Sequence, residues 1–199
     1  LCAHRRLLAR HGVCYPAPAP PHTDHGALAA LLFEEARWPR QIDARERRSP
    51  GRIRREARLI ISRLRAAVAA GTCHTAVLSS EYFFRTLSED NVRRLGELTA
   101  GFDRVRVVAY VRHPAPRYLS SCLQRVRHAS RIPRPGGGRF RAVLESYAAA
   151  LPVTVRAHDP VALTDGDITR DFISAALPDL EGLELCPPPR DTNASHSPE

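Results

Sequence analysis

The stretch VRVVAYVRHPAPRYLSSCLQ, residues 105–124, decides how the chain is read. Residues 105–111 are rich in valine and almost continuously apolar, as expected of a parallel strand covered on both faces; a half-exposed strand would alternate. Arg112 leaves the end of that strand, and Pro114 and Pro116 turn the chain. A helix is predicted over about 116–129, with Ser120 and Ser121 near its start. A guanidinium fixed on a rigid element, a hydroxyl and the free amides of a helix N-terminus all donate hydrogen bonds, and the helix dipole favours negative charge. The junction therefore has the chemistry of a phosphate site. Arginines also cap strands or pair with carboxylates, and serine is common in a first helical turn, so the pattern by itself leaves a structural role open.

The same alternation of short apolar strands and periodic helices continues on both sides. Upstream, residues 3–11 read as the end of a helix stopped by Gly12, followed by a proline-rich loop, and a second helix is expected over Ala27–Arg37. Ile53, Ala57, Ile60, Leu64 and Val68 recur at helical spacing, predicting a helix over 52–70 that ends at Gly71. The run TAVLSS (75–80) reads as a buried strand, and Ser88 as the N-cap of a helix carrying Val92, Leu95 and Leu98. Downstream, a helix over 139–150, the strand PVTVR (152–156) and a helix over 167–176 complete the pattern. The expected fold is α/β, a single domain over 1–199 in which a parallel sheet is flanked by helices in three layers.

Ligands of such sheets sit at the carboxyl ends of the strands. Three junctions are then candidates: Ser79-Ser80-Glu81, Arg112-His113-Pro114, and the group Arg156, His158 and Asp159. His158 and Asp159 are adjacent in an extended segment and point to opposite faces, so they make no catalytic pair. Gly136–Gly138 follow Arg134-Pro135 with no strand before them, which reads as a linker rather than a phosphate cradle. Asn193-Ala194-Ser195 is a formal glycosylation sequon without a secretory signal to give it meaning.

Composition bounds the function. All 30 basic residues are arginine and none is lysine, giving a net charge of +9 against 21 acidic residues. Phosphate binding must therefore use arginine, hydroxyls and backbone amides. The arginines are scattered and aromatic residues are only 6% of the chain, whereas polyanion-binding surfaces cluster their charge and interleave stacking rings. Nucleic acid is accordingly not the expected partner, although an arginine-rich nucleic-acid-binding protein remains an alternative. The five cysteines are widely spread with no C-x-x-C pair, which reads as reduced thiols and no metal site. Neither a membrane span nor a signal-peptide core is present in these residues, so the expected location is cytoplasmic.

With these residues in view, VVAYVRHPAPRYLSSCLQ resembles the 3′-phosphate-binding segment of bacterial sulfotransferases that use 3′-phosphoadenosine 5′-phosphosulfate (PAPS). In that family a hydrophobic strand ends in Arg and a Ser follows eight positions later, the spacing of Arg112 and Ser120. RRLLARHGVCYP is similar to the helix and turn after the family's donor loop, VLSSEYF to a strand end, VRAHDPVALTDGDITRDFISAAL to the late strand and helix, and DTNASHSPE to the start of an Asn-x-Ser segment. The resemblance implies a P-loop-like sulfotransferase topology and transfer of a sulfuryl group from PAPS to a hydroxyl or amine, with a carbohydrate as the expected acceptor. Arg112 and Ser120 would hold the 3′-phosphate, Glu81 would serve as the base, with His25 second to it, and no metal is needed.

The family's Gly/Thr/Ser/Lys loop for the 5′-phosphosulfate has no counterpart between residues 1 and 199. With no methionine and an opening inside a helix, the chain is expected to be an N-terminally truncated fragment preceded by about 15–40 residues carrying a strand and that loop. A non-catalytic remnant of the fold is the other alternative.

Overall fold

The computed structural model describes residues 4–16, 25–33, 50–115, 118–119, 122, 140–180 and 182–183. Among them are six α-helices: α1 (Arg5–Arg10), α2 (Ala29–Leu32), α3 (Pro50–Ala69), α4 (Glu89–Thr99), α5 (Phe140–Ala148) and α6 (Ile168–Ala176). Four strands accompany them, β1 (Val13–Cys14), β2 (Thr75–Ala76), β3 (Val107–Val111) and β4 (Val153–Ala157). The molecule is thus mixed α/β with parallel pairing, as the alternation predicts.

The sheet departs from expectation in one respect. Rather than a single sheet, the described strands form two separate parallel pairs, β1 with β2 and β3 with β4. β1 itself was not expected, being only two residues set between Gly12 and Pro16. Gly12 makes it possible. Its φ of +69° suits glycine, a Cβ there would lie 2.5 Å from the His74 ring, and its carbonyl accepts hydrogen bonds from the amides of His74 and Thr75.

The run 75–80 enters the ladder for only two residues, and the hydrogen bonds show why. Val77 still donates to the carbonyl of Cys14, but the amide and carbonyl of Ser79 are taken by His25. Side-chain and backbone groups of one histidine replace the next strand rung.

β3 is packed on both faces. Val108 joins Leu8, Val13, Val77, Ile173 and Ala176, a cluster built from α1, β1 and α6. Val107 faces the other way into Leu32, Phe33, Val143 and Tyr147 from the α2 and α5 side. Packing on both faces is what a continuous apolar strand requires, with Ala109 buried and its neighbours half-buried. β4 is the more exposed member of its pair, and its Val155 is half exposed.

The helix ends obey local chemistry. Ser88 and Asn91 form a reciprocal capping box at α4, and the Asp167 carboxylate accepts from the amides of Thr169 and Arg170 at the start of α6. The second expected helix is shorter than its pattern suggests: a 3-10 turn (Gly26–Leu28) leads into α2, and Phe33 is already extended. Residues 34–49, most of the helix predicted over 116–129, the glycines at 136–138 and the sequon at 193–195 lie outside the described residues. No helix among the described residues is long and apolar enough to cross a membrane.

Candidate functional site

The carboxyl end of the β3–β4 pair is built around one buried acid. Asp171 lies in the first turn of α6 and is 0% exposed. Its two oxygens accept from Arg156 Nε and an Arg156 terminal nitrogen at 2.5 Å each, from the Tyr110 hydroxyl at 2.6 Å, and from the amide and hydroxyl of Thr164. Arg156, with burial opposing it, holds the Asp171 carboxyl well below the usual carboxylate range, and the bonds from Tyr110 and Thr164 add to the effect. The Tyr110 phenol is pushed up, chiefly by burial and then by Asp171. One carboxylate thereby fixes α6, the penultimate residue of β3 and its register partner on β4. Arg106 secures the far end of α6 by donating to the carbonyl of Ala176.

Arg112 emerges directly after this locked region. It is exposed and makes no hydrogen bond or ion pair with a described residue. The ladder carries one rung further, since the amide of His158 donates to the carbonyl of Val111 at 2.9 Å, which brings the backbone of His158 alongside Arg112. Beyond the turn, Pro114, Ala115, Tyr118, Leu119 and Cys122 are helical, so strand, turn and helix follow in the expected order. Ser120 lies outside the described residues. Asp159 turns the chain at the end of β4, its carboxylate accepting from the amide of Val161.

Glu81 opens a 3-10 turn (Glu81–Phe83) capped by Ser80, whose hydroxyl accepts from the amide of Tyr82. The Glu81 side chain is exposed and has no ion-pair partner among the described residues.

His25, the second candidate base, has a different role. It is 0% exposed, accepts at Nδ1 from the amide of Ser79 at 3.0 Å and donates from Nε2 to the carbonyl of Pro16 at 2.8 Å. These two partners fix the neutral tautomer with the proton on Nε2. Its ring also packs against Tyr15, with centroids 4.5 Å apart. Both nitrogens are occupied by backbone, which makes His25 a clamp between the ends of β1 and β2 and leaves it no proton-transfer role.

Asp171 was not singled out by the sequence, whereas Arg156 was. Nothing in the spacing links two residues fifteen apart; only the passage of α6 over β4 joins them. A usable signal was the acid inside the otherwise apolar face of α6, among Phe172, Ile173 and Ala176. Elsewhere Cys14, Cys73 and Cys122 are free, and burial, with the Cys14 thiol beside it, pushes the Cys73 thiol up to about 12. Among the described residues no three His, Cys, Asp or Glu side chains gather as a metal site. No protein-family model, no curated protein and no solved structure matches the chain.

Proposed function

We propose that the chain carries the 3′-phosphate-binding half of a PAPS-dependent sulfotransferase with the P-loop-like topology, acting on a hydroxyl or amine of a carbohydrate. The observation that carries this reading is Arg112: an exposed guanidinium without a described partner, at the carboxyl end of a parallel strand packed on both faces, ahead of a helical turn. A guanidinium with no partner among the described residues is available to a dianion, and the strand end locked by the Asp171 network gives it a fixed origin. The donor's 3′-phosphate would set the register of the nucleotide there, with Ser120 as a second donor by resemblance.

Sulfuryl transfer moves a trigonal SO3 group from a phosphate oxygen to the acceptor oxygen or nitrogen, while a base takes the acceptor's proton. Glu81 is the proposed base, because it is exposed in the 3-10 turn that follows β2 and its carboxylate has no ion-pair partner among the described residues.

Calorimetry with 3′,5′-ADP and AMP tests the reading. The 3′-phosphate nucleotide should bind the native chain more tightly than AMP, and Arg112→Ala should weaken 3′,5′-ADP about 10- to 150-fold while leaving AMP unchanged. Equal affinities for the two nucleotides in the native chain would remove the assignment altogether.

A further inference from the structure

A groove of about 520 Å3 opens on the flank of the molecule between α3 and α4, and none of Arg112, Glu81 or the Asp171 network lines it. Its floor is apolar: Leu31 at the end of α2, Ile61 of α3 and Leu98 of α4. Its rim is cationic, with Arg58 and Arg65 on one helix and Arg94 on the other.

The three guanidiniums are held differently. Arg65 donates to the backbone carbonyl of Glu97 at 2.8 Å, a neutral acceptor that orients the group and leaves its charge uncompensated. Arg94 is paired with Asp90 at 2.6 Å. Arg58 is exposed and has no partner among the described residues. The one carboxylate on the rim, Glu97, is engaged by Arg93, which does not line the groove. α3 adds to the same field, with six arginines and one glutamate along its 20 residues. Cations beside an apolar floor attract an anion more strongly than cations in open water, because the low-dielectric wall weakens screening. An apolar ligand body alone would be served by the floor and would have no use for the arginines.

We propose that this groove binds a small amphiphilic anion, a body of two or three apolar rings or an equivalent chain bearing one sulfonate, sulfate or carboxylate. The volume lies within the usual span for small-molecule sites. The apolar body rests on Leu31, Ile61 and Leu98, while the anionic group meets Arg58 and the exposed side of Arg65.

The probe of choice is 8-anilino-1-naphthalenesulfonate, compared with N-phenyl-1-naphthylamine, which has the same rings and no charge. On the full chain the sulfonate should bind at one site at least tenfold more tightly than the neutral amine. Arg58→Ala should weaken the sulfonate about tenfold, on the strength of a single charge-assisted bond, without moving the neutral probe. Ser62→Trp, an exposed position in the lining, should fill the groove and abolish binding of both. Both variants should keep the native thermal unfolding midpoint. Equal affinity of the two probes, sulfonate binding that neither variant changes, or many loose sites on a chain that unfolds without cooperativity would each overturn the proposal. Displacement of the sulfonate by duplex DNA from native chain and Arg58→Ala alike would overturn it too, assigning the charge to a polyanion surface instead.

Discussion

The two strand pairs of this protein are each closed by one fully buried polar side chain, and the two closures work by opposite chemistry. At the end of β1 and β2, His25 is neutral and satisfies only backbone groups, the carbonyl of Pro16 and the amide of Ser79. At the end of β3 and β4, Asp171 is charged and gathers side chains from two strands, together with the Thr164 turn. A neutral clamp holds local geometry at low electrostatic cost. A buried ion pair is costly to desolvate and is useful chiefly when all its partners stay in place. The charged closure lies next to Arg112, which is where the proposed 3′-phosphate site would have most need of a fixed geometry.

The largest effect should come from removing the acid. Asp171→Ala leaves the Arg156 charge, the Tyr110 hydroxyl and the Thr164 amide without their acceptor. Breaking a fully buried pair costs several kcal/mol, but Arg156 is 34% exposed, and water would recover part of the loss. A destabilisation of about 3 kcal/mol is expected from urea unfolding. If the variant loses less than His25→Ala does, the charged network is not the stronger of the two closures.

His25→Ala should cost about 2 kcal/mol, from two backbone hydrogen bonds and the contact with Tyr15. Its more informative readout is nucleotide affinity. Because His25 has no free nitrogen, the surviving folded variant should bind 3′,5′-ADP as the native chain does. A selective loss of affinity with stability preserved would return His25 to the functional site.

What the sequence disclosed and what it withheld follow the same division. Helices with strong apolar periodicity, such as α3 with Ile53, Ala57, Ile60 and Leu64, were legible because burial of one face is written every three or four residues. β3 was legible for the same reason, since both of its faces are covered. β1 was not: two residues carry no period, and the pairing depends on a glycine carbonyl and on a partner 62 residues away. Arg112 and Glu81 could be named from their places after strands, and Arg156 from its place near the end of one. Their company could not, because the Asp171 network is made by helix packing and His25 by the fold of a loop onto Ser79. The reading of TAVLSS as a full strand failed for that physical reason, a side chain having taken the backbone groups that a neighbouring strand would use.

The smallest effect comes from the most peripheral member of the charged closure. Tyr110→Phe deletes one hydrogen bond to Asp171 and keeps the ring, so about 1 kcal/mol should be lost at neutral pH. The pH dependence says more than that figure. Because Arg156 and then the Tyr110 and Thr164 bonds depress the folded-state pKa of Asp171 below its ordinary 3.8, the carboxylate contributes stability above about pH 4. That contribution is lost as the pH falls through the lower, folded-state pKa. Without the Tyr110 hydroxyl one lowering influence disappears and the folded-state pKa moves back toward 3.8, so the variant has less to lose on acidification. Between about pH 4 and the variant's own folded-state pKa both chains lose stability alike, so the gap between native chain and Tyr110→Phe in acid unfolding curves should narrow only once the pH falls below that lower value. An Asp171 carboxyl that titrates at the same pH in the two folded chains, followed by carboxyl NMR, would mean that the hydroxyl stabilises the fold without acting through the carboxylate. The closure of β3 and β4 would then resemble that of β1 and β2, a set of hydrogen bonds in which charge plays no part.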